Sequence, residues 1–397
     1  MADDPAVRAG RYVKQLTGYR AFIPAPLPPD PPLSLGAAEL SLLSAADQAL
    51  GRLDGVAHVL PNPSLLVAMY VRREAVLSSQ IEGTQSTLDD VLAFELEGER
   101  NELPKDVHEV VNCVRAMYRG LARLGELPIS LRLIREIHAE LLASGRGAER
   151  QPGEFRTSQN WIGPEGGALA TARFVPPPPH EMNQALDNLE KFLHAQTPWP
   201  NLVDVALVHA QFETIHPFLD GNGRVGRLLV TFMLVQREVL LQPLLYLSYY
   251  LRLHRTEYYD RLTAIRENGD WEGWVRFFLD GVRVTAHEAT GTATRIIALQ
   301  ERHRHEVTDL RGNALKLLDH LFQQPLVNVT TVRSMLGVSF PTASKLVSSF
   351  EELGLLEEVT GYKRNRVFRY SEYLSLFSEP SQPDDSGELE ATESADA

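Results

Sequence analysis

The stretch His216-Pro217-Phe218-Leu219-Asp220-Gly221-Asn222-Gly223-Arg224-Val225-Gly226-Arg227 joins two apolar runs, and its reading decides what surrounds it. Leu202 to Ile215 before it is apolar enough to form a buried helix. Pro217 ends that helix, because proline has no N–H to donate and clashes with the preceding turn, so His216 falls on the last turn. Beyond the stretch, Leu228, Leu229, Val230, Phe232 and Met233 continue as a second buried helix. A glycine-flanked turn feeding a helix N-terminus is an anion site: free backbone N–H groups point outward and the helix dipole adds partial positive charge. Gly221 and Gly223 permit the positive φ values that such a nest requires. Arg224 and Arg227 lie three apart on the first turn, so both reach one bound anion, and the guanidinium fork suits phosphate. Asp220 beside a phosphate cradle is a natural Mg²⁺ ligand, since that ion takes one or two carboxylates plus phosphate oxygens. His216, with an ordinary pKa of roughly 6.5, suits a general base.

Each part alone is ordinary. A histidine at a helix end is commonly a cap, and a lone Gly-x-Gly is commonly only a turn. Together, within twelve positions, a base, a metal carboxylate, an anion nest and two arginines make a constellation for phosphoryl or nucleotidyl transfer. It is not a Walker A loop, because no lysine follows the glycines.

Working outward, the chain of 397 residues is too long for one ordinary core and divides into two or three domains. Its net charge of −13 argues against wholesale nucleic-acid binding. Cys113, the sole cysteine, cannot form an intramolecular disulfide or a multi-thiolate zinc site. It reads as a small core residue. No secretory signal is visible in Met1-Ala2-Asp3-Asp4-Pro5 and no apolar run is long enough to span a bilayer, so a cytoplasmic location is expected.

Residues 1–35 are proline-rich and read as an extended arm anchored by Tyr19, Phe22 and Ile23. Residues 36–127 are helical by pattern, with Leu40, Leu43 and Ala46, then Leu65, Leu66 and Met69, at helical spacing. Pro61-Asn62-Pro63-Ser64 breaks the run, and Ser64 is placed to cap a helix ending near Gly83, with Thr84 restarting the chain. Residues 128–284 form a second helical unit. It holds an irregular insert (Gly153-Glu154-Phe155-Arg156, then Trp161-Ile162-Gly163-Pro164) and a β-prone stretch, Leu169 to Val175, read as a small hairpin before Pro176-Pro177-Pro178-Pro179. A linking helix over 285–308, a compact unit over 309–377 and an acidic, disordered tail over 378–397 complete the chain.

The twelve-residue stretch resembles the Fic motif at every defined position, which is long and specific. That resemblance implies a mainly α, helical Fic fold and the transfer of AMP from ATP to a Ser, Thr or Tyr hydroxyl of a protein, releasing pyrophosphate. Carried over, His216 is the base and Asp220 holds Mg²⁺. Gly221, Asn222, Gly223, Val225 and Gly226 line the nucleotide, with Arg224 on the β- and Arg227 on the γ-phosphate. Tyr258 and Tyr259 match the aromatic wall for adenine. Ser78-Ser79-Gln80-Ile81-Glu82-Gly83 resembles the family's inhibitory helix through Ser78, Glu82 and Gly83, and implies that Glu82 pairs with Arg227 and misaligns the triphosphate. The hairpin near Thr171 to Val175 matches the flap that aligns a target by strand addition. A homodimer and self-modification also come with the resemblance.

Residues 309–377 resemble a winged helix-turn-helix: helices at Ala314–Phe322, Val332–Leu336 and Pro341–Leu353, then a wing around Lys363, Arg364, Arg366 and Arg369. The unit is close to neutral, which is weak for a duplex binder, so a protein-interaction or dimer-positioning role is preferred over DNA. Three rivals remain: removal of AMP with Glu82 positioning water, a different phosphoryl-type transfer, and a DNA-binding regulator with the Fic core as nucleotide sensor. The intact His216 and Asp220 favour chemistry.

Overall fold

Residues 201–215 form a helix with apolar side chains on every face, which has to be buried on all sides, and the other elements are arranged to cover it. The computed structural model describes residues 8–377 apart from 17, 60–63, 99–102, 164–168 and 311. A hairpin of β1 (Gly10–Lys14) and β2 (Arg20–Pro24) leads to α1 (Ala37–Val59), α2 (Ser64–Ile81), α3 (Leu88–Glu97), α4 (Val107–Leu124) and α5 (Leu131–Leu141). After an irregular stretch with a 3-10 turn at Leu169–Thr171 come α6 (Pro179–Leu193), α7 (Asn201–Ile215), α8 (Asn222–Gln236), α9 (Ser248–Leu253), α10 (Arg255–Asn268) and α11 (Trp271–Glu306). The C-terminal unit holds α12 (Asn313–Leu321), β3 (Leu326–Asn328), α13 (Val329–Leu336), α14 (Phe340–Glu352), β4 (Glu357–Glu358), β5 (Val367–Arg369) and α15 (Ser371–Ser375).

Every residue of α7 from Leu202 to Ile215 is buried. It is enclosed by α6, α8, α11 and β2, and Trp274 of α11 donates its indole N–H to the Ala206 carbonyl (2.8 Å). In turn α8 packs on α2, α4 and α5, which brings the N-terminal region onto the loop between α7 and α8. The α4–α8 contact depends on Gly120, where a Cβ would overlap the Phe232 ring. Cys113 is buried, its thiol pushed up to about 12 by that burial, as a core residue should be.

Several expectations change in detail. Leu40 points to solvent; α1 buries Leu43, Ala46, Leu50, Leu53 and Ala57 against α11 instead. The chain restarts after α2 at Leu88, not Thr84, with Thr87 and Asp90 forming a reciprocal cap. The proline-rich arm begins with a true hairpin, β1–β2, closed by a turn at Gln15–Tyr19 with Gly18 at positive φ. The proline run starts at Pro24, the last residue of β2, so it leaves the strands intact. Phe22 anchors this hairpin as expected, with its N–H on the Val175 carbonyl (2.9 Å) and its ring 6.3 Å from Phe174. The small hairpin of the insert is present as one antiparallel bridge, Ile162 with Phe174, while Leu169–Thr171 is a 3-10 turn.

No helix end falls at residue 284. The helix α11 runs unbroken through it, because no proline interrupts the stretch and its buried face continues to His303. The C-terminal unit has three helices and two paired strands at the expected places, plus β3, giving a sheet of order β3-β5-β4. It docks on α2 and α3: Arg72 donates to the Gln323 carbonyl (3.3 Å), Gln324 to the Leu92 carbonyl (3.2 Å), and Arg369 pairs with Asp89 (3.1 Å). The Pro61-Asn62-Pro63 break, the Ser64 cap, Pro164 and the acidic tail lie outside the described residues or side chains. Among the described residues no helix is long and apolar enough to cross a membrane.

Replacing Gly120 by valine should overpack the α4–α8 contact and lower the unfolding free energy by about 1–3 kcal/mol. Chemical denaturation at neutral pH checks this; an unchanged midpoint would show that the Phe232 ring simply moves aside.

Candidate active site

The α7–α8 loop is shaped by bonds to its own backbone. His216 closes α7 in the left-handed conformation (φ 50°), and Gly221 opens α8 in the same region (φ 76°), where glycine is unstrained. Asn222 grips Phe218 at both ends: it accepts from the Phe218 N–H (2.8 Å) and donates to the Phe218 carbonyl (2.9 Å). Arg156 is buried, and its guanidinium donates to the carbonyls of His216 (3.0 Å), Pro177 (2.5 Å), Ser158 (3.2 Å) and Ile215 (3.4 Å). Asn160 adds a bond to the Phe218 carbonyl (2.8 Å). The first intrahelical bond of α8 is Val225 N–H to Gly221 carbonyl, so the N–H groups of residues 222–224 have no acceptor within the helix. That is the geometry of an anion nest.

Both arginines of the motif meet acidic side chains from the N-terminal region. Arg227, with 2% of its side chain exposed, donates from Nε to the Ser78 hydroxyl (2.8 Å), and from Nη2 to the Ser78 carbonyl (2.9 Å) and to Glu82 Oε1 (2.6 Å). Glu82 sits just beyond the end of α2, and Gly83 (φ 97°) turns the chain there. Burial alone would raise the Glu82 carboxyl; the Arg227 charge and hydrogen bond outweigh it and hold it below the usual carboxylate range. The Glu82 carboxylate lies over Gly223 so closely that any Cβ at residue 223 would collide with it. Arg224, 1% exposed, donates to Glu109 of α4 (3.1 Å) and lies 3.9 Å from Asp220. Arg146 pairs with the same Glu109 oxygen (3.2 Å) and reaches the Glu82 carbonyl (3.4 Å).

His216 is lowered to about 4, first by burial and then by Arg156, so its imidazole is neutral at ordinary pH. Its Nδ1 is buried and has no hydrogen-bond partner among the described residues. Asp220 is 34% exposed, and one of its oxygens takes the Gly221 N–H (2.6 Å). Among the described residues no three His, Cys, Asp or Glu side chains gather as a metal cluster. One open carboxylate beside an anion nest fits Mg²⁺, which completes its shell with phosphate oxygens and water.

Three nucleotide-site residues named from the sequence are not brought to this surface. Val225 is buried and its N–H is used within α8. Gly226 abuts Phe212 and the Glu213 carboxyl, and its carbonyl bonds His209 (3.0 Å). Tyr258 is a core residue whose hydroxyl bonds His209 Nε2 (2.9 Å), so its ring offers no face to a base. Tyr259 remains half-buried beside the Glu82–Arg227 pair, its hydroxyl pushed up to about 12 by burial and by the Glu82 charge. Sequence reading missed His138, Glu109, Arg146, Asn160 and the role of Arg156. They lie far from the motif in the chain, and no local pattern marks a side chain that bonds a distant backbone.

Glu213 is buried one turn before His216, with Oε1 lacking a partner, and burial pushes it up to about 7. The folded state therefore holds that proton more tightly than the unfolded chain. Its contribution is complete below about 4.5 and is lost as pH rises through 7. His138, His209 and His216, each lowered to about 4, work the other way and lose stability as pH falls below about 6.5. Glu213→Gln should gain on the order of 2–3 kcal/mol relative to the unsubstituted chain between pH 5 and pH 8. Urea unfolding at both pH values checks this, and parallel curves for the two proteins would refute it.

The Fic/DOC family N-terminal profile matches residues 40–122, and the Fic/DOC family profile matches residues 128–234. The chain is 32% identical over 157 residues to a protein adenylyltransferase Fic of Aedes aegypti, covering 38% of this chain and 27% of that one. It is 30% identical over 177 residues to the protein of the same name in Drosophila yakuba, covering 44% and 32%. The match thus spans about a quarter to a third of these relatives. Among solved structures, a Fic family protein from Desulfovibrio desulfuricans superposes with a TM-score of 0.55 at 22% identity, over 85% of this chain and 97% of that one. A Fic domain containing signaling protein from Bacteroides thetaiotaomicron gives 0.50 at 19%, over 63% and 95%. Both likenesses concern the fold. Residues 40–234, which hold the loop and the α2, α4 and α5 groups gathered around it, belong to the Fic/DOC family.

Proposed function

We propose that this chain is a protein adenylyltransferase held in check by Glu82. The observation that carries the reading is the Arg227 cluster at the mouth of the α8 nest, where a carboxylate occupies the guanidinium that a terminal phosphate would need. The names of its relatives, protein adenylyltransferase Fic, point the same way.

In the proposed reaction a Ser, Thr or Tyr hydroxyl of a target protein attacks the α-phosphorus of ATP. The new oxygen–phosphorus bond forms, the bridge from the α-phosphorus to the β-phosphate breaks, and pyrophosphate leaves. His216 accepts the hydroxyl proton on Nε2; it is unprotonated at neutral pH, and polyphosphate charge nearby raises its basicity. The free N–H groups of residues 222–224 cradle the phosphates, and Asn222 keeps their loop in shape. Arg224 holds the β-phosphate region and Arg227 the γ-phosphate once Glu82 withdraws. Mg²⁺ on Asp220 would neutralise charge on the phosphates. Tyr259, half-buried beside the Glu82–Arg227 pair, would supply the aromatic face for the base. While Glu82 stays on Arg227, the triphosphate lacks its terminal anchor and in-line attack is misaligned.

We read the C-terminal unit as a winged helix used for protein contacts. Two of its four basic wing residues are already paired, Arg366 with Glu351 and Arg369 with Asp89, which leaves little charge for a duplex.

The test incubates the unsubstituted chain, Glu82→Gly and Glu82→Gly/His216→Ala with Mg²⁺ and ATP labelled on the α- or the γ-phosphate, with lysate as a source of targets. Label is followed on denaturing gels. Glu82→Gly should incorporate α-label about tenfold or more above the unsubstituted chain, and loss of His216 should cut it by roughly 10²–10⁴. Incorporation of γ-label alone, or none in any form, sinks the proposal.

A further inference from the structure

We infer that His138 is a positioning residue for the loop that carries Asp220 and the anion nest, an inference that rests on the nucleotidyl-transfer reading of that loop. His138 stands on α5, buried, 82 residues before Asp220 in the chain. Its two ring nitrogens are both used. Nδ1 accepts the Gly153 N–H (2.8 Å), which places the ring proton on Nε2, and Nε2 donates it to the Asp220 carbonyl (3.0 Å). One imidazole thus ties the irregular insert to the α7–α8 loop.

The bond matters because of the peptide it holds. The carbonyl of the Asp220–Gly221 peptide is taken by His138, and its N–H is taken by the Asp220 carboxylate (2.6 Å). The peptide is therefore anchored from both sides, and the direction of the carboxylate is set by the same arrangement. Gly221 alone offers no resistance to rotation, since it lacks a Cβ. The ring lies flat on Phe218, with centroids 3.7 Å apart and planes 6° apart, and it walls Gly221, where a Cβ would stand 3.5 Å from its Cδ2. Without the His138 bond, the Asp220–Gly221 peptide can turn. The open Asp220 oxygen and the first N–H groups of α8 then lose their mutual register, which is what a cation shared between carboxylate and phosphate requires. His138 touches neither nucleotide nor metal; its effect passes through the Asp220 backbone.

The test uses the full chain carrying Glu82→Gly as parent, with His138→Gln and His138→Asn added separately. The Gln amide nitrogen can stand near the position of Nε2 and keep the bond to Asp220. The shorter Asn amide reaches only toward Gly153. Binding of α,β-methylene-ATP is titrated calorimetrically in EDTA and at rising Mg²⁺, alongside thermal melting. His138→Asn should raise the Mg²⁺ concentration for half-maximal enhancement of binding about tenfold or more. Binding in EDTA should stay within threefold, and His138→Gln should keep the Mg²⁺ requirement within threefold of the parent. An Asn variant that melts earlier but keeps the parental Mg²⁺ requirement overturns the inference and leaves His138 a packing residue. If the Asn variant does not fold, a tenfold shift in the Gln variant overturns it, and an unshifted Gln variant with the parental requirement supports it. A parent that shows no Mg²⁺-dependent nucleotide binding would instead refute the reading of the loop.

Discussion

A guanidinium withdrawn from water has to be paired, and Arg227 is the group around which this molecule is settled. With 2% of its side chain exposed, it bonds the Ser78 hydroxyl, the Ser78 carbonyl and Glu82. Those partners come from the last turn of α2 and the residue just beyond it, where Gly83 turns the chain. An unpaired buried charge would cost several kcal/mol. The N-terminal region is therefore bound to the active-site helix by electrostatics as well as by apolar packing. On the proposed function, the same bond is the one an incoming terminal phosphate would replace, which would couple occupancy of the site to the position of α2.

The surroundings of this pair are tuned for neutrality as much as for charge. Arg224 is matched by Glu109, and Glu109 by Arg146. Three buried histidines remain neutral, and Glu213 is pushed up to about 7 in the shell behind Arg227. A site that receives a polyphosphate gains from fixed donors already in place, since no reorganisation is then needed as charge develops. Arg156, Asn160 and Asn222 supply that fixity by binding carbonyls, and they spend no charge on the ligand.

Mechanical connection extends further than the site. The middle of α2 carries Tyr70 and Arg72, on which the C-terminal unit rests through the Gln323 carbonyl and the ring of Phe377, 5.8 Å from Tyr70, while Gln324 and Arg369 of the same unit hold α3. The unbroken α11 joins that unit to the core that covers α7. One helix thus contacts both Arg227 and the C-terminal unit.

The twelve residues from His216 to Arg227, the apolar runs on either side and the order of the helices were legible in the sequence, because helix periodicity, proline stops and glycine turns are local properties of the chain. Glu82 was legible only beside a known motif; by itself it is one more polar residue at a helix end. Tertiary structure alone decided the rest. It took Tyr258 and Gly226 away from the open face of the α7–α8 loop by burying them around His209, and it turned the start of the proline-rich arm into a hairpin. It also set His138, Glu109 and Arg156 against a loop tens of residues away. Burial and backbone hydrogen bonds between distant segments leave no spacing to read, since they depend on which surfaces meet when the helices pack. The chemistry was written locally, and the geometry that aims it was decided by the packing.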